Sequence, residues 1–168
     1  GSTGFFGNNF FRKLKKEKIN YFILTKKQCD LLNYEKSLKK IKAINPSIIF
    51  NFAGLADIGE ANTRPIDTVR YNILGNTIIL DACRKAKVSR YIFASSVYVY
   101  SNSGGFYRCS KQACEAYIET FQENYGLEYT ILRYGSLYGP RADEQNAIYR
   151  YIMQALSEKK IHYYGRAD

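Results

Sequence analysis

Gly1-Ser2-Thr3-Gly4-Phe5-Phe6-Gly7 opens the chain, and its three evenly spaced glycines decide how the rest is read. In such a turn one glycine permits the tight bend, one lets the backbone approach a ligand, and one lets a helix pack closely on a sheet. Outward from this turn, short β-rich apolar runs alternate with longer stretches of helical period. The pattern predicts strands over 21–24, 48–52, 91–94 and 129–133, and helices over 10–18, 34–44, 68–87, 107–124 and 148–159. Gly126 is the expected C-cap of the helix over 107–124. Strands and helices in this order make an α/β fold, a Rossmann-like, doubly wound parallel sheet with helices on both faces. A glycine turn of this kind ordinarily follows a buried strand, so the reading expects the chain to lack its first strand and most of a second lobe. Residues 1–138 form the expected main domain and 139–168 the start of that lobe.

The bulk numbers set limits on function. A length of 168 residues with 46% hydrophobic content suits one compact core. The formal charge of +10 admits nucleic acid, but its lysines and arginines are scattered over helix faces, which favours solvated surface or a general attraction for anionic nucleotides. No nucleic-acid partner is expected. Cys29, Cys83, Cys109 and Cys114 show no metal spacing, and His162 is the sole histidine, so reduced thiols in a cytoplasmic protein are expected and a zinc site is not. No apolar run reaches the length of a membrane span, so no membrane partner is expected either.

Two stretches carry chemistry. Tyr107-Arg108-Cys109-Ser110-Lys111 puts a tyrosine and a lysine four apart, on one face of a helix. Alone the pair says little, because 16 tyrosines in a lysine-rich chain make such spacings common. The second stretch is Phe93-Ala94-Ser95-Ser96-Val97-Tyr98-Val99-Tyr100, which offers a hydroxyl at the C-terminal edge of a parallel strand, where ligands bind in such sheets.

With Asn51-Phe52-Ala53-Gly54 and Arg133-Tyr134-Gly135-Ser136-Leu137-Tyr138-Gly139-Pro140 in between and after, five motifs stand in one order. In that order the chain resembles the extended short-chain dehydrogenase/reductase family, especially its nucleotide-sugar epimerases and dehydratases, and the resemblance spans essentially its whole length. The resemblance implies NAD or NADP as cofactor, a nucleotide-sugar substrate and a homodimer built from the helices over 68–87 and 107–124. It makes Tyr107 the general acid/base, and it has Lys111 bond the nicotinamide ribose while lowering the tyrosine pKa. Ser96 would hold the reacting sugar hydroxyl, and is preferred to Ser95 because Val99-Tyr100 follows it at the family's usual spacing. Cofactor contacts would come from Gly1, Gly4, Phe5, Phe6, Gly7, Lys26, Asp30, Leu31, Phe52, Ala53, Gly54, Asn72, Tyr107, Lys111 and Tyr134. Without the resemblance, the residues alone favour Ser95 as a strand-end cap, Asp30 as a turn former and Asn72 as a helix-surface amide.

Three departures from the family pattern shape the expected activity. Thr25-Lys26-Lys27 stands where relatives carry an acidic residue that binds the adenosine ribose, which fits a 2′-phosphate and NADP, or solvent-facing lysines. Val97-Tyr98 replaces the Asp-Glu pair of the 4,6-dehydratases, which favours 4-epimerisation or ketone reduction over dehydration. The interval from Ser96 to Tyr107 is short, bridged by Ser101–Gly105. The leading expectation is a nucleotide-sugar 4-epimerase working through a transient keto-sugar. A keto-sugar reductase or dehydratase is the enzymatic alternative, and a cofactor-binding regulatory protein without turnover is the alternative of another class. Arg141 is a further candidate, for a substrate phosphate.

Overall fold

The computed structural model describes residues 1–140, 142–144 and 146–163, so Arg141 lies outside the described residues. The described chain divides into two compact units, Gly1–Tyr134 and a second beginning at Gly135. In the first unit, helices α1 (Phe5–Lys16) and α2 (Tyr34–Ile44) precede strand β1 (Ile48–Asn51). Short helices α3 (Ile58–Thr63) and α4 (Pro65–Thr68) follow, then a π-helical segment (Val69–Leu74) and α5 (Gly75–Lys85). Strand β2 (Arg90–Ser96) runs into a 3-10 turn (Val97–Tyr100), and α6 (Gly105–Tyr125) and β3 (Glu128–Tyr134) complete the unit. The second unit contains α7 (Ala147–Glu158), whose first turn is capped by the Asn146 side chain accepting from the Tyr149 N–H.

The three strands are parallel in the order β1-β2-β3. Alternation along parallel strands sorts their side chains. Tyr91 and Phe93 share one face with Ile49, and Ile41 of α2, Ile79, Leu80 and Cys83 of α5, and Cys114 and Ile118 of α6 pack there as the apolar core. Phe50 points to the opposite face, where the Phe10 ring of α1 meets it at 4.6 Å between centroids. Helices therefore cover both faces, as the alternation of periods predicts.

Residues 21–24 depart from expectation. They form no strand, and no ladder pairs them among the described residues. A parallel strand needs a neighbour for its backbone groups, and between this segment and β1 lies a cavity of about 560 Å³, lined in part by Phe10, Leu14, Tyr21, Ile23, Ile48 and Phe50. The ladder reaches only as far as β1, whose Ile48 and Phe50 stay 46% and 38% exposed.

Helix boundaries follow local chemistry. Helix α1 begins at Phe5, five residues before its apolar period, because the glycine turn leads directly into it. The helix expected over 68–87 begins at Pro65, favoured in a first helical turn, and its π-helical segment shifts the register before α5. Gly126, at φ 67°, closes α6 as predicted, its N–H donating to the Gln122 carbonyl.

Candidate active site

Ser96, Tyr107 and Lys111 come together at the C-terminal end of β2. Each is buried, at 6%, 9% and 7% exposure. Helix α6 presents Tyr107 and Lys111 one turn apart, and the sheet brings the end of β2 beneath them. The Lys111 ammonium donates to the Ala94 carbonyl at 2.8 Å and lies 5.7 Å from the centre of the Tyr107 ring. Desolvation pulls the Lys111 pKa down to about 8, the direction expected for a buried cation.

Tyr107 moves the other way. Burial pushes its phenol up, while a hydrogen bond with Ser96 acts to lower it. The expectation that Lys111 lowers the tyrosine is not met in this arrangement, because the ammonium is spent on the Ala94 carbonyl and desolvation dominates. As it stands, Tyr107 is a proton donor, and a positive charge brought beside the phenol would be needed to make it a base. Tyr98 closes the other side, its ring 6.4 Å from that of Tyr107 and nearly perpendicular to it. The short link to α6 is made by Gly104 and Gly105, both at positive φ. A side chain at Gly105 would collide with Asn62, whose amide oxygen instead accepts from the Phe106 N–H.

The glycine turn sits near a second group of rings. A Cβ on Gly1 would fall 2.1 Å from the Phe52 backbone, and one on Gly7 would fall 2.3 Å from the Gly1 carbonyl. Those two positions accept only glycine for close packing. At Gly4 a Cβ would meet nothing nearer than 3.5 Å, and no side chain caps α1 there. The uncapped first turn of a twelve-residue helix offers N–H donors to an anion. Phe6 packs on Phe52 and Tyr134, with centroids 4.6 and 4.8 Å apart, and Phe5 stands half-buried beside it.

The other candidates separate into groups. Asn72 is no surface amide: at 3% exposure its side chain accepts from the Leu55 N–H and donates to the Leu55 carbonyl and to Ser110. It thereby ties the loop after β1 to α6, and Gly54, at φ 146°, passes so close that a Cβ would lie 2.7 Å from its amide oxygen. Asp30 does act as a turn former, its carboxylate accepting from the Leu32 N–H. Leu31 packs against the core. Ala53 is held by its N–H donating to the Asn51 side chain. Lys26 and Lys27 are exposed, with the Lys26 ammonium 5.4 Å over the Tyr71 ring.

Ser95 is not merely a strand end. It donates to Glu115, which the Arg133 guanidinium also grips. Asn51, Glu115 and Arg133 are polar groups that sequence reading left without a role. Asn51 and Arg133 lie inside quoted motifs, and Glu115 stands one helical turn beyond Lys111, which is the only local signal it carries. Asn51 also donates to Tyr91, a fully buried phenol that in turn donates to Asn76. Among the described residues no cluster of His, Cys, Asp or Glu could hold a metal, and no helix is long and apolar enough to cross a membrane.

Residues 1–168 match the NAD dependent epimerase/dehydratase family. The chain belongs to that family. It is 25% identical to an uncharacterised UDP-glucose epimerase of Bacillus subtilis (strain 168), a match covering 98% of this chain and 64% of the relative. It is 22% identical to the dTDP-D-glucose 4,6-dehydratase of Homo sapiens, over 98% of this chain and 57% of that protein. Among solved structures, the UDP-glucose 4-epimerase of Thermotoga maritima with UDP-glucose superposes with a TM-score of 0.81 at 23% identity, over 98% of this chain and 64% of the other. The dTDP-4-dehydrorhamnose reductase of Bacillus anthracis in complex with NADP gives 0.78 at 20% identity, over 95% and 58%. The chain thus spans about three-fifths of the length of the relatives it matches, and the structural likeness at these identities establishes the fold.

Proposed function

We propose, from that family membership, that the intact protein is an NAD(P)-dependent nucleotide-sugar 4-epimerase. The observation that carries the reading is the burial of Ser96, Tyr107 and Lys111 around one point at the end of β2. A dinucleotide fits the residues present: the open, uncapped turn at Gly4 suits its pyrophosphate, and the Phe6, Phe52 and Tyr134 rings stand beside that turn. When bound, a nicotinamide dinucleotide supplies a hydride acceptor that can return the hydride.

The chain's own groups handle protons and position. Ser96 holds the sugar hydroxyl beside Tyr107, which as a phenolate, a form that a positive charge brought beside it favours, takes that proton and later gives it back. Lys111 keeps a cation beneath the site, where its hydrogen-bond partner is the Ala94 carbonyl. With Val97 and Tyr98 following Ser96, the stretch carries no carboxylate for removing water across C5 and C6. The exposed Lys26 and Lys27, which suit a 2′-phosphate, favour a keto-sugar reductase using NADPH as the second reading. The reading further takes the protein as cytoplasmic and as a homodimer, the latter because Ile66, Val69, Leu74 and Tyr117, on the segments from α4 to α6, are 47–74% exposed. Light scattering of the intact protein checks the dimer.

The test is proton NMR of UDP-, dTDP- and GDP-sugars incubated with the intact protein and catalytic NAD⁺ or NADP⁺. A C4 epimer is expected without build-up of reduced cofactor. Consumption of added NADPH with a 4-keto-sugar, and no epimer, would replace the epimerase with the reductase.

A further inference from the structure

Three elements meet at a polar group behind Ser96. Ser95 and Arg133 are register partners on β2 and β3, and Glu115 descends between them from α6. The Ser95 hydroxyl donates to the Glu115 carboxylate. Arg133 grips the same carboxylate, with Nη2 at 2.8 Å from Oε2 and Nε at 3.1 and 3.2 Å from Oε1 and Oε2. A third arm of the guanidinium, Nη1, donates to the Tyr100 hydroxyl, and its Cζ lies 4.9 Å from the centre of the Tyr100 ring. Ser95 is 4% and Glu115 7% exposed. The guanidinium fork therefore ties the last residues of β2, the turn after it and the neighbouring strand to the helix that carries Tyr107 and Lys111.

We infer that Glu115 and Arg133 are positioning residues for Ser96, acting through Ser95. The inference rests on the catalytic reading of Ser96, Tyr107 and Lys111. Its physical basis is directional. A carboxylate that takes one hydroxyl and a planar fork leaves little freedom for any of the three, and Ser96 is the next residue along the strand. Lys111 secures the same strand at the Ala94 carbonyl. The two bonds hold the adjacent residues Ala94 and Ser95 to α6, so the end of β2 cannot slide or rotate beneath it, and Ser96 keeps its place beside the phenol. An apolar group at 115 would fill the space but would not set that register. The groups facing Tyr107 are Ser96 from β2, Tyr98 from the turn and Lys111 from its own helix. Glu115 bonds Ser95 and Arg133 and its charge also acts on Lys111, so Ser95→Ala, which keeps that charge, is the variant that reads the path through the strand.

A purely structural role would lower thermal stability and leave Tyr107 untouched, and the test separates the two. In the intact protein labelled with ¹³Cζ-tyrosine, the Tyr107 resonance is assigned by its loss in Tyr107→Phe and titrated in wild type, Ser96→Ala, Ser95→Ala, Glu115→Gln and Ser95→Thr. Ser96→Ala removes the hydrogen bond that lowers the phenol, so its ionisation moves up in pH. Ser95→Ala and Glu115→Gln are expected to move it the same way, with kcat falling about tenfold and KM within about twofold, and Ser95→Thr is expected to restore both. An unshifted Tyr107 titration and unchanged kcat in Ser95→Ala and Glu115→Gln, whatever their melting temperatures, overturn the inference. Because the titration needs no turnover, it still reads the positioning if Tyr107→Phe proves active and the catalytic reading itself fails.

Discussion

The C-terminal end of β2 and the α1–β1 edge are built on opposite principles, although both are rich in aromatic rings. At the end of β2, Ser95, Ser96, Asn72, Ser110, Lys111 and Glu115 are polar or charged, buried, and engaged by named partners. At the edge, Phe6, Phe10, Phe50 and Phe52 touch ring to ring beside a cavity of about 560 Å³. Hydrogen bonds in low dielectric are directional and costly to leave unmade, so the polar end tolerates few substitutions. Ring packing depends on area and volume, so the edge tolerates shape-conserving change. The lesson is that chemistry here sits where specificity is enforced by angle, and a bed for a flat ligand can rest on rings that only need to fill space.

Substitutions can break or sharpen this contrast, and the largest effect is expected at Tyr107. Tyr107→Phe keeps the ring and removes the proton carrier, so turnover should fall by about 10²–10⁴ while cofactor affinity, measured by fluorescence titration, stays near wild type. A turnover rate equal to wild type would move the acid/base role elsewhere.

Lys111→Met should separate function from stability. The folded pKa of Lys111, about 8, lies below the unfolded value of 10.5. The unfolded chain therefore binds more protons between those values, so wild-type stability rises with pH from about 8 to 10.5 and is lowest below 8. The penalty for the charge at pH 7 is roughly 3 kcal/mol, offset in the variant by loss of the donor to Ala94. A net gain on the order of 1–2 kcal/mol is expected at pH 7, with the pH dependence flattened and turnover lost. Urea unfolding at pH 7 and 10 checks it, and a variant less stable at both would contradict the assigned penalty.

Asn72→Ala leaves the Leu55 N–H and carbonyl without their partners and should cost about 1–3 kcal/mol. The loss should be seen in the same unfolding assay. Phe50→Leu at the edge is the smallest change, expected below about 1.5 kcal/mol with turnover unaltered. Equal costs at the two positions would erase the distinction between the regions.

Much of this was legible along the chain. The glycine spacing, the helix C-cap at Gly126 and the i, i+4 pair of Tyr107 and Lys111 are relations between near neighbours, and the core strands β1, β2 and β3 appear where apolar β-rich runs do. Residues 21–24 carry the same local signature yet pair with nothing described, because a ladder needs a neighbour and not only a propensity. Ser95 illustrates the opposite limit. Its bland reading as a strand-end cap could not anticipate Glu115, 20 residues away, or Arg133, a further 18 beyond Glu115.

The amino-acid sequence by itself determined the alternation of strands and helices, the glycine-spaced turn into α1 and the placement of a phenol and an ammonium on one helical face, since each depends on backbone sterics and short-range period. Only the tertiary structure decided the protonation leanings of that pair, the inward turn of Asn72 and the grip of Arg133 on Glu115. Desolvation and hydrogen-bond geometry exist only once β2, β3 and α6 are stacked, and no local pattern encodes which distant side chain will be there to meet a buried charge.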